Sequence, residues 1–281
     1  MRLPHPRLTV ARMLGLVAVV AFVAWWLTDQ PRRRGKAIAT TKRVRGVVQL
    51  DDEYQPVIKA PPPAPARSAA WLANRLGPEF AHQVSVINLD GQPVTDADLL
   101  DLEGVKSLQR LYLNGTPITD AGMAHLRGLS GLEILEVRET AVGDAGLTPL
   151  AGSRRLRVLA LSETRIGGPG MASLARLRGL EELSLGRTSV DDAGLAHLSG
   201  LTGLKVLRLA RTRVTDAGLA HLARLKALEC LDLSQTAVTD AGLAQLAGLS
   251  ELRLLFVDGT NVSKAGQGAL QRALPSVLIL H

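Results

Sequence analysis

The sequence predicts an α/β solenoid of about eight strand–turn–helix units, 24 residues each, preceded by one membrane-spanning helix. Three observations carry that prediction. Residues 84–280 repeat a single phrase, most clearly as LKVLRLARTRVTDAGLAHLARLKA from Leu204 and LECLDLSQTAVTDAGLAQLAGLSE from Leu228. Further copies start at Val84, Leu108, Leu132, Leu156, Leu180 and Leu252. Each copy opens on an L-x-x-L-x-L spacing, and such a head on a period of roughly 20–30 residues marks stacked units. Met13–Leu27 is an unbroken apolar run far from the repeats.

Residues 1–28 form the expected anchor. From Leu8 to Thr28 there are 21 residues with Arg12 as the single charge, enough to cross a bilayer. Trp25 and Trp26 stand at its far edge, where aromatic rings favour the interface. A cleaved signal peptide is the alternative, and a small-x-small cleavage site is lacking: Ala18, Ala21 and Ala24 are spaced by three. Arg2, Arg7 and Arg12 precede the span, whereas Arg32, Arg33, Arg34, Lys36, Lys42, Arg43 and Arg45 follow it. Positive-inside counting therefore places the repeats on the cytoplasmic side.

Residues 29–67 read as a basic arm and a Pro-rich tether. The chain carries +7 overall, which raises the question of nucleic acid. Residues 1–83 hold 13 Lys/Arg and 5 Asp/Glu, whereas residues 84–281 hold 20 and 21, so the excess lies beside the expected span. Arg32, Arg33, Arg34 and Lys36 are placed to meet anionic headgroups, and a nucleic-acid partner is not expected. Pro56 to Pro65 is a stiff extended spacer. Residues 68–83, with Trp71, Leu72 and Leu76 on one helical face, lie where the first coil needs a cap.

Residues 84–281 are the repeat domain. In the copy from Leu108 the apolar positions are Leu108, Leu111, Leu113, Ile118, Met123, Leu126 and Leu129. The pair Leu111 and Leu113 has strand spacing, and the last three recur at helix spacing. One unit cannot bury this face alone, so stacking is obligatory. A threonine follows each strand from Thr116 to Thr260 and is expected to satisfy turn backbone from coil to coil. Three residues on, Thr95, Thr119, Gly143, Gly167, Asp191, Thr215, Thr239 and Ser263 all belong to the favoured N-cap set. The next column is mostly Asp, where a helix N-terminus favours negative charge. Glycines from Gly122 to Gly266 then imply close backbone packing between coils. Leu274 to Ile279 restores strand spacing and closes the last coil.

At these residues the chain resembles the leucine-rich repeat superfamily. The T-x-[VI]-T-D-A-G-L-x-x-L form is similar to repeats of planctomycete proteins and of eukaryotic F-box adaptors, with Thr where commoner repeats use Asn. The front of the chain is similar to planctomycete membrane-anchored members. The resemblance implies a non-enzymatic binding surface. Ser68 to Gln83 is too short for an F-box helical domain, which excludes the adaptor.

Catalytic, cofactor and metal sites are not expected. Cys230 is the single cysteine, read as a partly exposed strand residue without a His partner. His125, His197 and His221 share a repeat position but do not converge as metal ligands must. The candidate site is the concave face, where Arg110, Tyr112, Asn114, Glu136, Arg138, Arg208, Asp232 and Phe256 alternate with the inward leucines. Ala160, Ser162, Ser184, Gly186, Ala210 and Ser234 leave its middle small. Arg165, Arg187, Arg211 and Arg213 on the adjoining edge form either a basic ridge or solvated arginines partnered by Glu139 and Glu163. The function this implies is a membrane-anchored scaffold binding a protein partner. The alternative is a structural envelope protein with no discrete ligand.

Overall fold

The computed structural model describes residues 58–59 and 85–281. Parallel strands follow one another in chain order in a single sheet: β1 (Ile58–Lys59), β2 (Val86–Asn88), β3 (Arg110–Tyr112), β4 (Ile134–Glu136), β5 (Val158–Ala160), β6 (Glu182–Ser184), β7 (Val206–Arg208), β8 (Cys230–Asp232), β9 (Leu254–Phe256) and β10 (Leu278–Leu280). From β2 onward each register steps by 24 residues, as in Arg110↔Ile134 and Val206↔Cys230. Pairing continues past the strands, with Leu113 N–H donating to the Glu136 carbonyl and Gly115 N–H to that of Arg138, each at 2.8 Å. β10 closes the last coil on β9, as the spacing predicts.

The seven predicted core positions of the second copy are all fully buried. Each is worth about 1.5–3 kcal/mol of burial before chain entropy is subtracted. The core is one continuous column of such side chains from Ile87 to Val277.

The helices are short. Asp120–Ala124, Asp192–Ala196, Asp216–Leu222, Asp240–Gln245 and Lys264–Ala273 begin where the N-cap column predicts, with Thr119, Asp191, Thr215, Thr239 and Ser263 each accepting from a first-turn N–H. Three coils depart from this. Asp96–Leu102 and Asp144–Gly152 are 3-10, the second with Pro149 inside it. In the next coil Gly167 is not a cap, because the helix starts only at Met171, after Gly168, Pro169 and Gly170.

Two column readings need correction. The threonine hydroxyls do not link coils: each donates to the carbonyl three residues back in its own turn, as from Thr116 to Leu113 and from Thr236 to Leu233, both at 2.6 Å. The link is made by the aspartates. Asp216 Oδ1 accepts from Thr239 N–H at 2.8 Å and Oδ2 from the Thr239 hydroxyl at 2.6 Å, one coil ahead. Asp96, Asp192 and Asp240 repeat both bonds, whereas Asp120 and Asp144 meet only the N–H of Gly143 and Gly167. Six of the seven recurrent glycines make room for these carboxylates, whereas Gly194 makes room for backbone, its Cβ position being 3.0 Å from the Gly168 Cα. A Cβ on Gly146 would stand 2.6 Å from Asp120 Oδ1, and one on Gly218 or Gly242 would overlap Asp192 or Asp216.

The tether reading also changes at one place. Ile58–Lys59 pairs with Ile87–Asn88 as the first strand of the sheet, so the spacer from Pro56 to Pro65 is not free throughout. Extended Pro-rich backbone lies close to strand geometry, and an edge strand tolerates nearby prolines. The expected span Leu8–Thr28, the arm at Arg32, Arg33, Arg34 and Lys36, and the cap at residues 68–83 lie outside the described residues. Among the described residues, no helix is long and apolar enough to cross a membrane.

Candidate protein-interaction face

The open face of the sheet is built from the first and third residues of each strand and the residue two positions beyond. The structure divides the eight candidate residues there into two groups.

Arg110, Tyr112, Asn114, Glu136 and Arg138 remain accessible on β3, β4 and the turns that follow. Asn114, Glu136 and Arg138 are tied into one network. Asn114 Nδ2 donates to Glu136 Oε2 at 2.9 Å, and Arg138 Nη1 lies 3.5 Å from that same oxygen. Arg138 N–H donates to Asn114 Oδ1 at 2.9 Å, while Asn114 N–H donates to Asp90 Oδ1 at 2.8 Å. Tyr112 sits half-buried beside this network. Burial, with the Glu136 charge adding to it, raises its hydroxyl pKa above the ordinary value. A rigid aromatic residue framed by fixed charges offers apolar area and polar direction with few rotamers to freeze.

Arg208, Asp232 and Phe256, expected on the accessible face, are instead buried, at 6%, 8% and 4% exposure. Side chains converge on the inner face of a curved sheet, so neighbours of unequal size shade one another. The small Ser184 lets Arg208 lie down across the preceding strand, β6, where Nη1 donates to Ser184 Oγ at 3.0 Å. Glu182 Oε2 is 4.0 Å from the same guanidinium. Burial raises the Asp232 pKa against the opposing hydrogen bonds from Ser234. Cys230 is also buried, at 4%, rather than partly exposed, and burial pushes its thiol up to about 12. It is therefore a protonated, buried residue of this face at neutral pH.

The edge arginines do not form a uniform ridge. Arg187 Nη1 is paired with Glu163 Oε1 at 2.9 Å, as the solvated alternative predicts. Arg165, Arg211 and Arg213 are exposed. Arg187 and Arg211 share a column with Glu139, Glu163 and Gln235 in which φ is 55–59°, the left-handed region. His125 Nδ1 lies 2.7 Å from Glu103 Oε1, a surface pair. Among the described residues no three His, Cys, Asp or Glu side chains converge on a metal position.

The coil geometry and the sequence comparisons agree. Residues 152–175 and 226–247 match the family model described as Leucine Rich repeat. At these residues the chain carries leucine-rich repeats. Its fold is similar to the crystal structure of internalin C2 from Listeria monocytogenes, at 24% identity and a TM-score of 0.59, covering 72% of this chain and 83% of that one. No curated protein matches the sequence. The stack of coils is not uniform: at Asp144–Gly152 and at Gly167–Gly170 the helical side is remodelled while the strand spacing of 24 residues is kept.

Proposed function

We propose that this protein is a non-enzymatic interaction module that binds a protein partner through coils 2 and 3 of its concave face, displayed at a membrane by residues 8–28. The observation that carries the reading is the Tyr112 network, in which Asn114, Glu136 and Arg138 hold one another while staying accessible. A surface with no ligand to meet has no use for a charged network fixed around a half-exposed aromatic ring. The apolar run from Met13 to Leu27 and the cations that follow it support the membrane location. A structural envelope role is the second reading, favoured by the buried half of the face at Arg208, Asp232 and Phe256.

The test is affinity capture from native membranes with the full chain, beside Tyr112→Ala/Arg138→Ala. A protein held by the wild type and released by a variant of unchanged melting temperature supports the module. Equal capture by both, or capture by neither, removes the concave-face reading and leaves the structural one.

A further inference from the structure

The solenoid has two long edges. On one, each strand runs through the threonine–aspartate turn into its helix. On the other, the chain returns from helix to strand. The return segments 103–109, 127–133, 151–157, 175–181, 199–205, 223–229 and 247–253 hold eleven Lys/Arg against five Asp/Glu, a net of +6. Residues 84–281 together carry −1, so the rest of the domain carries −7. The fold sorts a nearly neutral sequence into a strongly polar object.

The charge is densest on two adjacent loops. Arg154, Arg155, Arg176 and Arg178 are all exposed, and none has an ion pair among the described residues. The two loops are in backbone contact: a Cβ on Gly179 would stand 3.0 Å from the Arg154 carbonyl oxygen. Glu181 is already shared between Arg157 at 2.7 Å and Lys205 at 2.9 Å, and those two cations hold its carboxyl below the ordinary range. The partner is identified by what the loops contain. They offer a row of solvated guanidinium groups and no aromatic residue on which a base could stack.

The direction of β1 supplies the second observation. It runs parallel to β2, so Ile58 is entered from the return edge. The N-terminal end of β1 therefore lies on the same edge as the four arginines, and the apolar run and basic arm precede it in the sequence. We infer that the return edge is a docking surface for an anionic phospholipid bilayer, laying the solenoid edge-on against the membrane through Arg154, Arg155, Arg176 and Arg178. This rests on the membrane-anchored reading above. Edge-on docking leaves the concave face and its Tyr112 network open to a partner.

The experiment is arginine footprinting with phenylglyoxal on the full wild-type chain in nanodiscs, which leave both membrane faces open to reagent. One set is phosphatidylcholine alone and the other contains about 30 mol% phosphatidylglycerol, a loading suited to surface-potential effects. The expected result is a drop of about threefold or more in modification of the four arginines in the anionic discs, reversed by high salt. Arg165 and Arg213, on the opposite edge, serve as internal controls and keep the same reactivity. Incorporation into both discs with equal reactivity overturns the docking surface and leaves the anchor standing. Failure to enter either disc overturns the anchor, and the docking surface with it. Protection by a single-stranded oligonucleotide in detergent, without protection by lipid, overturns the lipid assignment in favour of nucleic acid.

Discussion

The Cβ that Gly168 lacks would stand 2.6 Å from Asp191 Oδ1 in the following coil. In six other coils the position of Gly168 is an aspartate reaching forward one coil, to the next N-cap in five of them and to Gly167 in the sixth. Here the carboxylate has moved to the N-cap itself, where Asp191 Oδ1 accepts from Gly194 N–H at 2.9 Å. One carboxylate fills the inter-coil space in either arrangement, and two cannot.

Gly168→Asp alone is therefore expected to destabilise the domain by about 2 kcal/mol through steric and like-charge conflict. Adding Asp191→Thr rebuilds the arrangement of Asp216 and Thr239 and is expected to recover at least about half of the loss. Urea midpoints of the two single variants and the double variant measure this. Strictly additive losses would show that the two sites are independent.

A related cycle tests the regular coils. A Cβ at Gly242 would overlap the Asp216 carboxylate, so Gly242→Ala is expected to cost about 1–3 kcal/mol. Asp216→Ala strips the acceptors from Thr239 N–H and hydroxyl and is expected to cost about 1–2 kcal/mol. The removed carboxylate is what obstructs the added methyl group. The double variant should fall short of the sum by about 0.5–1 kcal/mol or more, read from the same denaturation curves.

These couplings also mark where sequence reading stops. The inward positions Leu108 to Leu129 are legible because strand and helix periods sort them within one copy. Helix starts are legible because capping is local, as at Thr215. The partner of Asp216 lies 23 residues away across the stack, and no single copy displays it. Exposure on the concave face fails for a similar reason. Whether Arg208 stands up or lies across Ser184 depends on side chains from several coils on a curved surface. The return-edge cations were open to the same column reading that found the aspartates. Arg154 and Arg178 are one repeat apart, but without the fold they are two arginines in separate loops.

The left-handed column offers a gain in stability. Arg211 has φ +58°, whereas Gly91, Gly115 and Gly259 fill the same place elsewhere at 64–66°. A residue with a Cβ costs roughly 1–2 kcal/mol in this region, and glycine's extra unfolded-state entropy offsets about half of that relief. Arg211 is exposed and its backbone N–H donates to the Ser234 carbonyl at 2.8 Å, a bond glycine keeps. Arg211→Gly should raise stability by about 0.5 kcal/mol, seen as a higher denaturation midpoint with unchanged slope. A lower midpoint would show that the side chain contributes more than the strained backbone costs.

The acid dependence of stability should carry opposite contributions from two aspartates. Asp240 is held below the ordinary carboxylate range by the Ser263 hydroxyl, the Ser263 N–H and, after desolvation opposing them, the Gly266 N–H. Its stabilising contribution is present above the unfolded value of 3.8 and is lost as pH falls through the lower folded value. Asp232 is raised above 3.8, by burial first, although Ser234 and the Arg208 charge pull the other way. The folded chain therefore holds the Asp232 proton more tightly than the unfolded chain. Stability from this group falls as pH rises through the window from 3.8 to the raised value, and the charge is a standing cost at neutral pH. Asp232→Asn removes that charge and retains an oxygen for the Ser234 N–H, which donates to Oδ1 at 2.9 Å. The Asp240 contribution is common to both proteins and cancels in their difference. Measured by urea unfolding at about pH 3 and about pH 7, either side of the ordinary carboxylate value, the variant should gain on the wild type as pH rises. A difference that stays constant, or moves toward the wild type, would mean that Arg208 and the Ser234 hydrogen bonds already offset the cost of burying Asp232, and the buried half of the face would then be a satisfied ionic cluster.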